Sequence, residues 1–329
     1  MSGIAPLLQF ALLSGFVLAL TIALLLAAAE RPLRNLLQRQ APQHRARLTW
    51  WLLVAPLATG AVYAAITVAM PSLFHDSAQF AAACSGHTGS WWHACVWHPS
   101  DHGQSLGVWV AMAVLGGLVG WLAARALGSL WAARRLARTM LRLSRPPRHP
   151  AEAHVLESEQ PLALACGVGR GHVVLSQSLL DRLDPLQLRV VLAHEHSHVH
   201  HRDVLWRLLA RLLSGLHLPG PRRRLLECLE LASEQRCDRA AAEVVGSRLA
   251  VAETILAVER LFRGATPPPM TAAFSTGFVR ERVHALLSAQ QDRRGWLGSA
   301  LAATLVAFAA LSAGWLHHFT ESLIAVLAG

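Results

Sequence analysis

The apolar residues of the sequence are concentrated in four long blocks. Residues 1–29, 48–70, 103–124 and 296–315 contain no Asp, Glu, Lys or Arg. About 20 apolar residues are enough for a helix to cross a bilayer, so each block predicts a transmembrane helix. The rest of the chain is polar, and its longest polar stretch is residues 126–294.

This pattern predicts a mainly α membrane protein with three parts. Residues 1–125 hold three transmembrane helices and a connecting loop at 72–102, residues 126–294 form one polar domain, and residues 295–329 hold the fourth span and a short tail. The first block lacks the basic start that is typical of a signal peptide, so we expect an uncleaved span. Cleavage near Ala27–Ala29 is the alternative.

The charge distribution predicts the orientation of the spans. The net charge is +10 and every basic residue is Arg. Arginines cluster at 30–47 and 125–149, and the loop 72–102 has none. The positive-inside rule therefore places the N-terminus, the loop and the C-terminus outside and the polar domain in the cytoplasm. We predict a multi-pass protein of a bacterial-type inner membrane. Because the arginines flank the spans, we expect the bilayer, not nucleic acid, as their partner.

The predicted outside loop contains two of the cysteines. Cys84 and Cys95 lie in a compartment where a disulfide can persist, and we consider them a candidate pair. The loop is also rich in His and Trp. A disulfide-pinned hairpin with Trp at the membrane interface is the favoured interpretation. A sensor for a metal or an envelope signal is the alternative.

The polar domain is predicted to be mostly helical with a small sheet. Its predicted strands are 162–166 and 172–175, and its predicted helices are 177–183, 185–216, 221–245, 248–262 and 278–287. Asp184 followed by Pro185 is a strong helix start. Gly246 is a typical helix stop.

The first long helix of this domain carries the sequence His-Glu-His-Ser-His at 194–198. His194 and His198 are four residues apart, so both imidazoles project from one helical face and can hold one zinc ion. Glu195 is then placed beside the ion as a general base. The remaining histidines of this segment, at 196, 200 and 201, point off that face and are not expected to be ligands.

A third zinc ligand is expected from the next helix. Glu230, Glu234 and Asp238 form a stripe on one face, and a buried carboxylate stripe is costly unless it meets a cation. Glu234 is the predicted ligand and Glu230 the alternative. Asp238 is the predicted acceptor for the free N–H of a ligating imidazole, with an ordinary surface salt bridge as the alternative. Cys237 is expected to be a small core residue.

These motifs resemble those of a known group of proteases. His194-Glu195-x-x-His198 with Asp203, followed by Glu234-x-x-x-Asp238, is similar to the membrane-bound gluzincin metallopeptidases. The closer resemblance is to the BlaR/MecR-type antirepressor proteases, and the HtpX/CAAX-protease type is the near relative. The resemblance covers roughly residues 160–290. It implies an α+β gluzincin domain and one zinc ion, with Asp203 orienting a neighbouring group through a hydrogen bond.

The resemblance implies a regulatory, zinc-dependent endopeptidase. Its partners would be a protein or peptide substrate, a cytoplasmic repressor among the candidates. Those sensors end in an extracellular penicillin-binding domain that this sequence lacks, so we expect no β-lactam sensing. The strand 172–175 could pair with an extended substrate. Because Tyr63 is the only Tyr, His172 and Arg282 are the candidates for oxyanion stabilisation. The alternative function is a signal transducer whose zinc domain is structural and binds a partner without cleaving it.

Overall fold

The structure, a computed structural model, describes residues 4–73, 106–147, 152–262, 272–273, 278–288 and 304. In this part of the chain the helices are α1 (Ile4–Ala28), α2 (Glu30–Gln38), α3 (Pro42–Leu73), α4 (Leu106–Leu143), α5 (Gln177–Leu180), α6 (Pro185–His200), α7 (Asp203–Leu213), α8 (Pro219–Val245), α9 (Arg248–Phe262) and α10 (Val279–Leu287). The strands are β1 (Ser144–Arg145), β2 (His154–Leu156), β3 (Ala163–Cys166), β4 (His172–Ser176) and β5 (Ala272–Ala273).

Three of the described helices are long and apolar enough to cross a membrane. The qualifying segments are Leu8–Ala28 in α1, Pro42–Ala69 in α3 and Trp109–Leu143 in α4. They correspond to the first three predicted spans. Of the fourth predicted span only Thr304 is described, and Cys84 and Cys95 lie outside the described residues. The fourth span, the disulfide, the orientation and the division into domains therefore stay predictions.

Helices α1 and α3 pack closely through a pair of glycines. A Cβ added at Gly15 would lie 2.6 Å from the carbonyl oxygen of Gly60, so neither position has room for a side chain. The second half of α1 and the first half of α3 join α7 and α8 in one apolar cluster. Its buried members include Leu18, Ile22, Leu52, Leu53, Ala210, Leu225, Leu229 and Ala232. Helices α1 and α3 thus share an apolar core with α7 and α8.

The sheet has the strand order β1-β2-β4-β3-β5. β2 and β4 are parallel, and the other pairs are antiparallel. The strands predicted at 162–166 and 172–175 are β3 and β4, and they pair in the register Ala165 opposite Val173. β4 is hydrogen-bonded on both sides, to β2 and β3. The expectation that 172–175 could pair with a substrate is therefore wrong, because that strand has no free edge.

The helix start predicted at Asp184 and the helix stop predicted at Gly246 are confirmed, and Ser176 caps a further helix. The Ser176 hydroxyl accepts a hydrogen bond from the Leu179 N–H at the start of α5. Asp184 and Gln187 form a capping box at the start of α6. Gly246 ends α8 with a left-handed backbone, φ 78°, a conformation that glycine adopts without steric cost.

One predicted helix is two helices in the structure. The helix expected over 185–216 stops at His200, and Arg202 has a left-handed backbone with φ 54°. A second helix, α7, starts at Asp203. The break reverses the chain locally, so that Asp203 reaches back to His198.

The helical layer packs on one face of the sheet. The main cluster of buried residues joins β3 and β4 to α6, α8, α9 and α10, and it includes Ala163, Val173, Leu175, Val190, Val191, Ala241, Val251, Ile255, Val258 and Leu286. This layer holds α6 and α8 side by side, and these two helices carry the predicted zinc ligands.

Candidate metal centre

α6 presents its two motif histidines together toward α8. His194 and His198 are both fully buried, and their ring centroids are 4.9 Å apart in an edge-to-face arrangement. One helical turn separates them, as their spacing predicts. Three further histidines were predicted not to be ligands: His196, His200 and His201. Within the described residues they belong to no group that could hold a metal.

α8 contributes a carboxylate to the same point. Glu234 Oε2 lies 3.4 Å from His194 Nε2, and Glu234 Oε1 lies 3.5 Å from His198 Nε2. One ligand atom from each of these three residues falls within 4.8 Å of the others. The alternative ligand, Glu230, has a side chain that is 36% exposed and lies 3.9 Å from Arg207, outside the group.

Each histidine has a carboxylate on its other ring nitrogen. Asp238 Oδ1 lies 3.0 Å from His194 Nδ1. Asp203 Oδ2 lies 2.7 Å from His198 Nδ1. An acceptor on Nδ1 fixes the tautomer and the ring orientation, and leaves Nε2 available for a metal. Both ligand nitrogens therefore face Glu234.

Two arginines, the buried Arg282 and the partly buried Arg207, hold the carboxylates in place. Arg282 donates to Asp238 through Nε (2.8 Å) and Nη2 (2.6 Å), and its Nη1 lies 3.4 Å from Glu234 Oε2. Arg207 Nη2 donates to Glu234 Oε1 at 2.8 Å. The guanidinium of Arg282 is thus occupied by its contacts with Asp238 and Glu234, which argues against the prediction that it stabilises an oxyanion. The other candidate, His172, packs against the ring of His154 at 5.3 Å.

Arg207 was not predicted from the sequence, although a signal was present. Arg207 follows Asp203 by four residues, so the two share a face of α7. Asp203 in turn accepts a hydrogen bond from Arg236 on α8.

Cys237 is buried as expected, but its neighbours are polar. Its Sγ lies 3.3 Å from His198 Nδ1.

The donor set and its electrostatics fit a divalent cation. Burial would raise the pKa of Glu234, but its interactions with His198 and His194 and the charges of Arg282 and Arg207 hold that pKa well below its usual value. Burial lowers the pKa of His198, which keeps its imidazole neutral. A neutral imidazole and an ionised carboxylate are the forms that bind zinc.

Several polar atoms of these motif residues are buried without a hydrogen-bond partner. Within the described part of the chain, His198 Nε2 and both carboxylate oxygens of Glu195 are buried without a hydrogen-bond partner. Buried polar atoms without partners are costly and uncommon. A cation and its water would satisfy them.

Glu195 is a fully buried carboxyl group with a raised pKa. Burial, with a contribution from the negative charge of Glu234, raises the pKa of Glu195 to about 8. Efficient proton transfer requires a pKa near the working pH. Burial and the Glu195 charge also raise the pKa of Cys166, on β3, to about 11, which keeps its thiol protonated. His194, Glu195, His198 and Glu234 all have zero exposure to solvent.

Comparisons with known proteins point to the same chemistry. Residues 130–261 match Peptidase family M48. A protease HtpX homolog from Acidiphilium cryptum is 31% identical over 125 residues, which cover 34% of this chain and 44% of the relative. An HtpX homolog from Aquifex aeolicus is 41% identical over 64 residues, 19% of this chain and 21% of the relative.

These matches leave much of each protein uncovered. The chain spans less than half the length of the curated relatives it matches. No solved structure matches significantly. The relatives support the HtpX side of the resemblance, and the antirepressor type stays a prediction. Over residues 130–261 the chain is thus similar to Peptidase family M48, and it resembles the HtpX-type membrane zinc metallopeptidases.

Proposed function

We propose that this protein is an integral membrane zinc-dependent endopeptidase. His194, His198 and Glu234 are the zinc ligands, and Glu195 is the general base. The observation that carries the proposal is the convergence of one atom from each ligand within 4.8 Å in a fully buried pocket. Structural zinc sites commonly use four protein ligands, whereas three protein ligands leave a position open for water or substrate.

The chain's residues divide the chemistry among them. A bound zinc ion would supply Lewis acidity toward the peptide carbonyl and lower the pKa of water. Glu195 accepts a proton from the attacking water and delivers it to the leaving amine. A carboxyl group whose pKa is about 8 can perform both steps near neutral pH. Asp238 and Asp203 keep the imidazoles oriented by accepting from their Nδ1–H groups.

The substrate and the cellular setting are also proposals. We assign a protein or peptide substrate, in line with the peptidase domain, and a regulatory role in which a cytoplasmic repressor is one candidate target. The arginine clusters at 30–47 and 125–149 favour a cytoplasmic peptidase domain. The apolar segments of α1, α3 and α4 favour a membrane location.

The test is the Glu195→Gln variant of the full-length protein in detergent. We expect zinc content to equal that of the wild type and cleavage of an unfolded protein substrate to fall by about 100-fold or more, because only the proton acceptor is lost. Glu243→Gln is the matched control, since Glu243 is an exposed residue of α8. We expect it to cleave normally.

The opposite results are equally clear. Undiminished cleavage by Glu195→Gln overturns the assignment of the general base. Wild-type protein that binds zinc but cleaves no substrate favours the transducer with a structural zinc domain.

A further inference from the structure

The helix that carries Glu234 is joined to a membrane helix by more than apolar contact. α8 packs along α3, and a series of polar contacts links α3 to the peptidase domain. Thr49 Oγ1 lies 3.6 Å from Cys228 Sγ on α8. Trp50 donates its indole N–H to the carbonyl of Trp206 at 3.0 Å.

The deepest of these contacts involves Arg45, near the start of α3. The side chain is buried, and its Nη2 donates to Oε1 of Gln235 on α8. Among the described residues, no carboxylate lies within 4.0 Å of this guanidinium. A buried charge held by a neutral amide is a poor source of stability. Such a contact is better suited to fixing the relative position of two helices.

Gln235 passes the connection on to a third helix. Its Nε2 donates to the carbonyl oxygen of Glu281 at 3.0 Å, at the start of α10. The carboxamide therefore links α3, α8 and α10. Gln235 directly follows Glu234, the proposed ligand, in the chain. Glu281 directly precedes Arg282, which contacts both Asp238 and Glu234.

We infer that Arg45 and Gln235 are positioning residues through which membrane helix α3 sets the geometry of the metal centre. The inference rests on the proposed function. It goes beyond it because Arg45 lies far outside the segment that matches the peptidase family, residues 130–261. A displacement of α3 moves Gln235, and with it the ligand Glu234 on one side and the Arg282 clamp on the other.

The test measures zinc affinity and the absorption spectrum of the cobalt-substituted protein, using the full-length chain in detergent. We expect Arg45→Met and Gln235→Leu each to weaken zinc binding by about 10-fold, the lower end of the effect of losing a direct partner of a metal ligand. The d–d bands of bound Co²⁺ shift in both variants. The double variant binds zinc no more weakly than Gln235→Leu alone, because that single variant already removes the contact with Arg45.

Two further variants separate positioning from folding. Thr49→Val is the matched control, because it removes a polar contact between the same two helices that does not lead to the site. We expect wild-type affinity and spectrum. Arg45→Lys, which keeps a charged donor, is expected to stay within about twofold of the wild type.

The outcomes distinguish the inference from the proposed function. Folded Arg45→Met and Gln235→Leu with wild-type affinity and spectrum overturn the inference alone. If either fails to fold, Gln235→Glu decides in the same assay, because it keeps an acceptor for Arg45 but loses the donor to Glu281. Unchanged zinc affinity in Gln235→Glu also overturns the inference. A wild-type chain that binds no zinc overturns the proposed function.

Discussion

The carboxylate of Asp238 is in close contact with three N–H groups, one from His194 and two from Arg282. Oδ1 accepts from both His194 Nδ1 (3.0 Å) and Arg282 Nη2 (2.6 Å), and Oδ2 accepts from Arg282 Nε (2.8 Å). In Asp238→Asn one of these oxygens becomes an NH₂ group. In either orientation of the amide, its NH₂ group then faces a buried N–H group of His194 or Arg282. The substitution also removes the negative charge that favours the required tautomer of His194.

We therefore expect Asp238→Asn to weaken zinc binding by about 10- to 100-fold. That factor corresponds to about 1.4 to 2.8 kcal/mol, which is also the cost of leaving one buried donor unsatisfied. Asp203→Asn should have a similar effect through His198, because the Asp203 contact to Nδ1 is 2.7 Å.

The assay is a competition titration with a chelator of known zinc affinity, using full-length protein at constant pH. Asp184→Asn is the control, because Asp184 is an exposed helix cap far along α6 from the ligands and Asn caps equally well. Wild-type zinc affinity in folded Asp238→Asn would refute the orienting role and the reasoning from the two oxygens.

Three other predictions follow from the same geometry. Zinc affinity should rise about tenfold per pH unit between about pH 6 and pH 8. Burial alone would lower the pKa of His194, but Asp238 and Glu234 raise it to about 9, and zinc binding must displace that proton. A zinc affinity that does not change with pH contradicts this prediction. Arg282→Met should destabilise the metal-free protein by about 3–5 kcal/mol, because it leaves the buried Asp238 carboxylate without its cation; thermal unfolding with and without zinc measures the loss and its partial recovery. Arg202→Gly should raise the free energy of unfolding by about 1 kcal/mol by relieving the left-handed backbone, and an unchanged or lower melting temperature would contradict it.

The sequence predicted the parts of the molecule that local signals determine. Hydrophobic blocks located α1, α3 and α4, and capping residues located the start of α6 and the end of α8. The approach of Glu234 to His194 and His198 was also predictable, because helical spacing places each set on one face and a buried acid needs a cation.

Other features depend on contacts between distant segments. β1, β2 and β5 are two or three residues long, and pairing rather than composition defines them. The break at Arg202 was missed because no glycine or proline marks it. Arg45 was interpreted only as a marker of membrane orientation. Its contact with Gln235 spans 190 positions of sequence, which no local pattern reports.

In the described conformation Glu195 and its neighbours are completely buried. A peptide bond cannot reach a group with no accessible surface, so the proposed proteolysis would require a minor, opened state. The apparent substrate affinity is then reduced by the fraction of molecules that are open, and a 1% population would cost about 100-fold. Substitutions remote from the ligands that favour opening should therefore increase proteolysis. An overactive variant of this protein need not alter the metal, the base or any residue that touches the substrate.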